Sequence, residues 1–311
     1  MRSGIVLEIE DAKVMFDCKE ATNCDLAFIS HSHLDHVPKV IKSKAYATPE
    51  TISLIGARRK HVASKIKPLP FWQSVKLDDI CVTAVPSGHI LGAASFIMDT
   101  PVGRILYSGD INVYPSITVE HTAVKPEDVD YLIVEATYGV PIYKFGKPSN
   151  IWVDIVEWVL REVNKGFKPC FNVYTVGKAQ EVIGIINCFT DLKVEVNYSI
   201  ARVNTAYKRF GIELDYVREE GDCIVTSGGW VNKRNIAPAI ATGFAVHESI
   251  DGVKGFPLSS HADYPGLISY VKEIKPKKVF TVYGYSIEFA EIIKRKLGIK
   301  AHPLGETSIV I

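Results

Sequence analysis

A chain of 311 residues with 47% hydrophobic content can bury a sizeable core, as one large domain or two smaller ones. Charged residues make up 23% and the formal net charge is +1, which excludes a grossly basic nucleic-acid binder. Any affinity for polyphosphate has to come from local clusters of Lys and Arg.

No apolar run reaches the roughly 18–20 residues of a membrane span. The first four residues lead straight into a strand-like stretch at 5–9, without a charged leader or cleavage site, so a cytoplasmic protein with no membrane association is expected. In chain order, the first 140 residues are dense in strand signals. Segments 13–18, 26–30, 81–85, 94–99, 104–107 and 131–135 are short and rich in β-branched or aromatic residues. Between them, 49–60 has helical spacing, with Pro49 suited to a first turn.

After Gly139 the texture changes. Ser149 is a cap for a helix over 150–164, whose apolar stripe is Ile151, Ile155, Val156, Val159 and Val163. A strand at 170–174, a helix over 178–189 and two further αβ-like units to about residue 216 read as an α/β insert. Strand signals return at 224–227 and 279–282, with helices over 265–274 and 287–297. The basic clusters Arg58-Arg59-Lys60, 275–278 and Lys294-Arg295-Lys296 read as solvated helix ends or loops. Six scattered cysteines without a C-x-x-C pair read as free, mostly buried thiols.

The chemistry is concentrated in Ser30-His31-Ser32-His33-Leu34-Asp35-His36, directly after the apolar segment 26–29. Neutral imidazoles and carboxylates are good ligands for zinc and similar ions. A loop leaving a strand can fan them around two ions, His31 and His33 toward one, Asp35 and His36 toward the other. His89 sits in a glycine-flanked turn, Gly88-His89-Ile90-Leu91-Gly92, and Asp110 ends the strand-like 105–109. A carboxylate so placed can bridge two ions about 3.5–4 Å apart.

The order H-x-H-x-D-H, Gly-His, Ser-Gly-Asp resembles the metallo-β-lactamase superfamily. That resemblance implies an α/β fold, the αββα sandwich, with metals at one edge between the sheets. It also implies that Asp17 orients a ligating imidazole. Two further marks resemble the β-CASP nucleases: Glu135 in Val134-Glu135-Ala136-Thr137-Tyr138-Gly139 before the insert, and His261 in Ser259-Ser260-His261-Ala262-Asp263 after it. The implied organisation is a core of residues 1–145 and 257–311 with an inserted β-CASP cap at 146–256, nucleic acid entering the cleft between them. Residues 135–143, 176–180, Ser227-Gly228-Gly229-Trp230 and 258–267 resemble exonucleases associated with DNA ligase and helicase in bacteria, and archaeal messenger-RNA 3′-end processing factors.

The resemblance implies a metal-dependent nuclease, an exonuclease more than an endonuclease, acting on a single-stranded DNA or RNA end in DNA repair or RNA 3′-end processing. Zinc is the expected cofactor at two sites, with manganese as an alternative, and a DNA ligase or helicase is an expected partner. A metal-activated hydroxide held by Asp35 attacks phosphorus, and His261, supported by Glu135, assists the leaving oxygen. Gly177-Lys178 opens a helix, where free backbone N–H groups and a cation can meet a phosphate; an ordinary helix start with an exposed lysine is the alternative.

One departure stands out. Many β-CASP enzymes carry a metal-ligating histidine before glycine after the next strand, and here Tyr283-Gly284 occupies that place. Tyrosine, with a pKa near 10, is a poor ligand at neutral pH, so the second site is expected to be weak. This keeps open a nucleic-acid-binding subunit with little catalysis and, less favoured, a small-molecule hydrolase of the lactamase or thioesterase type.

Overall fold

The computed structural model describes residues 4–229 and 235–304, with the backbone of 309–310; Trp230 lies outside the described residues. Two mixed sheets face each other. The first runs, in spatial order, Ile309–Val310, Ile5–Ile9, Ala12–Phe16, Leu26–Phe28, Lys44–Ala47 and Ile66–Pro68. The second runs Lys300–Pro303, Lys278–Val282, Tyr131–Glu135, Gly103–Tyr107, Ala94–Thr100, Ile80–Pro86 and Ser74–Leu77.

Alternation along the strands sends Leu7, Val14, Phe16 and Phe28 inward against Val82, Phe96, Tyr107 and Ile133 of the facing sheet. Ring centroids of 4.8 Å for Phe16–Tyr107 and 5.0 Å for Phe28–Phe96 put these pairs in the favourable aromatic range. Helices α1 (Pro49–Gly56) and α2 (Lys60–Ala63) cover the outer face of the first sheet through Ile55 and Val62. Helices α6 (Tyr264–Ile274) and α7 (Ser286–Leu297) cover that of the second through Leu267, Val271, Phe289 and Ile293. The layers are helix, sheet, sheet, helix.

The chain leaves this sandwich to build a separate, all-parallel sheet of Val194–Val196, Cys223–Thr226, Lys168–Asn172, Ile236–Ala241 and Lys254–Phe256. Helices α3 (Pro148–Asn164), α4 (Lys178–Phe189) and α5 (Tyr198–Lys208) belong to this α/β unit. The α3 stripe buries Ile151, Ile155 and Val159 as its spacing predicts, with Trp158 added.

Several local readings change. Ser149 does not cap α3: Lys147 holds the cap position without a side-chain bond, and Pro148, whose fixed φ suits a first turn, starts the helix earlier. The helical stretch at 49–60 breaks after Gly56, because Arg59 takes φ −140°. Strand Ile236–Ala241 lies between two others although it contains Pro238, a residue that argues against an interior strand. None of the six cysteines forms a disulfide, but only Cys170 and Cys223 are buried. Among the described residues no helix is long and apolar enough to cross a membrane.

The sandwich and the inserted unit share a small core of their own. Leu54, Ile90 and Ala93 of the sandwich pack with Val176, Val203, Ala206 and Tyr207 of the insert. Leu54 is fully buried there, so Leu54→Ala should lower the unfolding free energy by about 2–5 kcal/mol in urea denaturation. A loss below about 1 kcal/mol would mean that the two units are not packed through this cluster.

Candidate metal centre

The site lies where strands of both sheets end on the same side. Asp17 follows Ala12–Phe16, the loop 30–36 follows the parallel Leu26–Phe28, Asp110 follows Gly103–Tyr107 and Glu135 ends Tyr131–Glu135. Carboxyl ends of parallel strands deliver side chains into one crevice. The two edges approach closely at Gly109, which has φ +58°; a Cβ there would lie 2.9 Å from that of Ser30. Only glycine tolerates both demands.

His31, His33, His89 and Asp110 converge, with one donor atom of each within 4.8 Å of the others. The outward nitrogens settle the tautomers. His33 Nε2 donates to the Val176 carbonyl (3.2 Å) and His89 Nδ1 to the Ser260 carbonyl (2.8 Å). The Ser30 hydroxyl donates to Asp17 (2.6 Å), so it accepts from His31 Nδ1 (2.9 Å). A neutral imidazole has one N–H, and each is used on the outside. Three lone pairs therefore face inward, His31 Nε2 and His89 Nε2 lying 3.0 and 3.1 Å from His33 Nδ1. Asp110 Oδ2 adds a carboxylate oxygen 3.5 Å from His31 Nε2 and 3.8 Å from His89 Nε2.

Added protons do not relieve this crowding. Burial and the neighbouring rings push His31 and His89 well below the usual range, and burial takes His33 down to about 3. A tetrahedral ion with bonds of about 2.1 Å separates its donors by about 3.4 Å. The donor set fits a divalent cation of the zinc class in both chemistry and spacing.

The second half of the centre is held differently. His36 Nδ1 donates to Asp17 Oδ2 (2.8 Å), while its Nε2 lies 3.5 Å from Asp110 Oδ2 and 3.8 Å from Asp35 Oδ2. Burial opposes a charge on His36, but Asp110, Asp17 and Asp35 outweigh it and raise the ring to about 9. Asp17 also accepts from the Ser30 amide (2.7 Å) and the Tyr107 hydroxyl (2.8 Å), so one carboxylate orients two histidines. Asp35 is 53% exposed at the cleft. Tyr283 has φ +61° and its hydroxyl lies 3.1 Å from that of Tyr107, its ring edge-on to His36. Two further histidines stand apart from these donor groups: His247 donates to the Ile142 carbonyl, and His302 lies beside Phe280.

Glu135 is buried and grips His261 Nδ1 with both oxygens, at 2.9 and 3.0 Å. Burial alone would raise its carboxyl; His261, with donors from Thr137 and Ile111, holds it below the ordinary range. The other ring nitrogen, Nε2, lies 3.8 Å from Asp110 Oδ2. The geometry around Gly177 and Lys178 is internally satisfied: the Gly177 amide donates to Gln180 and the Lys178 amine to the Leu258 carbonyl (2.9 Å). Burial lowers Lys178 to about 8 against the pull of Glu181.

A cleft of about 590 Å³ opens over these groups, lined by Asp35, Asp110 and His261 together with Tyr174, Thr175 and Phe244. Arg58, at the break between α1 and α2, is half-buried in this cleft rather than part of a solvated helix end. Neither Arg58 nor the Val176 carbonyl carries a sequence signal: a helix break displaces the first, and every residue has a carbonyl.

Comparison with known proteins agrees with this architecture. Residues 11–144 match the family described as Beta-lactamase superfamily domain, and residues 250–303 match the Zn-dependent metallo-hydrolase RNA specificity domain. The chain belongs to the metallo-β-lactamase superfamily. Its inserted α/β unit, with Glu135 before it and His261 after it, makes it a β-CASP member of that superfamily.

A protein named "Probable DNA ligase" from Opitutus terrae is 28% identical over 90% of this chain, which spans only 29% of that protein's length. An "RNase J-like protein" from Methanocaldococcus jannaschii is 24% identical, covering 96% of this chain and 93% of its own. The "5' exonuclease Apollo" of Gallus gallus is 24% identical over 89% of this chain and 62% of its own length. A crystal structure of a protein of unknown function from Enterococcus faecalis V583 shares the fold, with a TM-score of 0.70 at 15% identity over 100% of this chain and 98% of that one.

The protonation states lead to a calorimetric prediction. In the metal-free protein at neutral pH, His31, His33 and His89 are already neutral ligands, whereas His36, near 9, carries a proton. An ion entering the half held by His36 should therefore release about one proton, and one entering the half held by His31, His33 and His89 none. The release should vanish as pH rises above about 9, where His36 is already neutral. Titrations in buffers of different ionisation enthalpy should report it, and His36→Gln should abolish it. Buffer-independent heats in the wild type would contradict this assignment.

Proposed function

We propose that the protein is a metal-dependent nuclease that hydrolyses phosphodiester bonds of single-stranded DNA or RNA ends, with residues 146–256 as its cap. The observation that carries this reading is the inward convergence of three imidazole lone pairs and Asp110 beneath an open cleft. Zinc suits these donors, with His36, Asp35 and Asp110 holding a weaker second ion because Tyr283 replaces an expected ligand. When bound, such ions supply electrophilic stabilisation of the charge that develops on phosphate and ease deprotonation of water.

The chain's own residues then do the following. Asp35, exposed in the cleft, accepts the proton of the attacking water as its oxygen bonds to phosphorus. The phosphorus–oxygen bond opposite breaks, and His261 gives the leaving oxygen a proton from Nε2. Glu135 holds the His261 ring by Nδ1 and keeps Nε2 directed at the reacting group. Tyr174, 72% exposed in the same cleft, offers a ring on which an unpaired base can stack.

The relative named a 5′ exonuclease favours action at a strand end, and the relative named RNase J-like favours RNA as a substrate. The relative named as a DNA ligase favours a role beside strand joining, with a ligase as partner. Tyr283, standing in the place of the expected metal-ligating histidine, supports a second reading: a nucleic-acid-binding subunit with little catalysis, which would bind fewer than one tightly held transition ion per chain.

End-labelled DNA and RNA strands, incubated with zinc or manganese, test the proposal and report polarity and sugar preference together. His33→Ala should lose more than about 100-fold in activity, beyond the usual cost of disturbing an outer partner. Unchanged activity in that variant would sink the mechanism. His261→Ala should retain its metal while losing about 10²–10⁴-fold in kcat; loss of metal with loss of activity would reassign His261 to ligation.

A further inference from the structure

A second groove runs along the seam between the sandwich and the insert, outside the metal cleft. Helices α1 and α2 form one bank and α5 the other, and its volume is about 590 Å³. Lys60 stands on the first bank, Arg202 and Arg209 on the second, and no carboxylate lines it. That one-sided charge is unusual in a chain carrying 36 basic and 35 acidic residues. Among the described residues, none of these three cations has a carboxylate within ion-pair distance, whereas Lys208, one position from Arg209, pairs with Glu213 at 3.3 Å.

Two features connect the groove to a strand-shaped ligand. Arg58, two positions before Lys60, lines the metal cleft, so the break between the two helices places a cation of the groove and a cation of the reactive cleft close together along the chain. Beyond the groove, Arg202 lies 5.8 Å from the ring of Tyr198, and Arg218 lies 5.7 Å from the same ring. Tyr198 is 68% exposed. Cations that track a backbone, interleaved with an exposed aromatic ring, are what unpaired nucleic acid requires, because phosphates seek charge and every base has a face to stack.

We propose that this seam is an extended binding track for the single strand beyond the reactive phosphate, with Lys60, Arg202 and Arg209 contacting successive phosphates and Tyr198 stacking a base. The proposal rests on the nuclease reading and adds where the remainder of the substrate lies. It makes affinity depend on strand length, and it separates strand holding from chemistry.

The test compares zinc-loaded wild type with the Arg202→Ala/Arg209→Ala double variant. Lys208→Ala is the control for a cation that is already paired. Binding is read by anisotropy on a phosphorothioate-substituted 20-nucleotide strand and on a trinucleotide. Hydrolysis of bis(p-nitrophenyl) phosphate reads the metal centre alone.

The double variant should bind the long strand at least 10-fold more weakly at low salt, and its salt slope should fall by about 1.4, or about 0.7 per lost contact. Trinucleotide binding and hydrolysis of the small ester should not change, and Tyr198→Ala should weaken the long strand several-fold. Equal losses on long and short ligands, or no loss on either while the wild type binds the long strand, would overturn the track and leave the nuclease reading standing. A wild type that neither binds the long strand nor hydrolyses the small ester would overturn both.

Discussion

Four imidazoles at the centre of this protein each have an N–H turned outward onto a fixed acceptor, and the centre depends on that arrangement. Ser30 and Asp17, just beyond strand ends of the first sheet, hold His31 and His36, the Ser260 carbonyl holds His89, and the Val176 carbonyl holds His33. Outer partners of this kind fix tautomer and ring orientation. Here they come from segments far apart in sequence, including one in the inserted unit. The His33 ring is therefore fixed from outside only when the sandwich and the insert are docked, and the shared core around Leu54 and Tyr207 supplies the packing that docks them.

The same dependence explains the asymmetry between the two halves of the centre. The half built on His31, His33 and His89 is buried and drained of protons, a state suited to a cation. His36, among three carboxylates, keeps its proton until a cation displaces it, and Asp35 reaches the site from a half-open position. Tyr283 sits behind this half, joined through Tyr107 to the Asp17 network. Tyr283 thus buttresses the carboxylate that orients His36.

Much of this was legible in the sequence because the signals are local. Three histidines and an aspartate within six residues after a short apolar strand need no tertiary information to read as ligands, and segment 131–135 reads as the strand that ends in Glu135. What was not legible depends on distant packing. Pro238 argues against the strand that contains it. Lys178 reads as a helix-start lysine free to meet a phosphate, yet it is buried with its amine on the Leu258 carbonyl, a partner 80 residues away. Arg58 looks like one of a solvated basic run, and only the break after Gly56 puts it in the cleft.

By itself the sequence determined which donors the protein has, their order along the chain and their positions at strand ends, because ligand chemistry and strand periodicity are properties of short segments. The tertiary structure decided which nitrogen of each ring faces inward, which carboxylate is shared, and which cations line the cleft and the seam. Those outcomes are set by hydrogen bonds and packing between residues up to 176 positions apart, which no local pattern encodes.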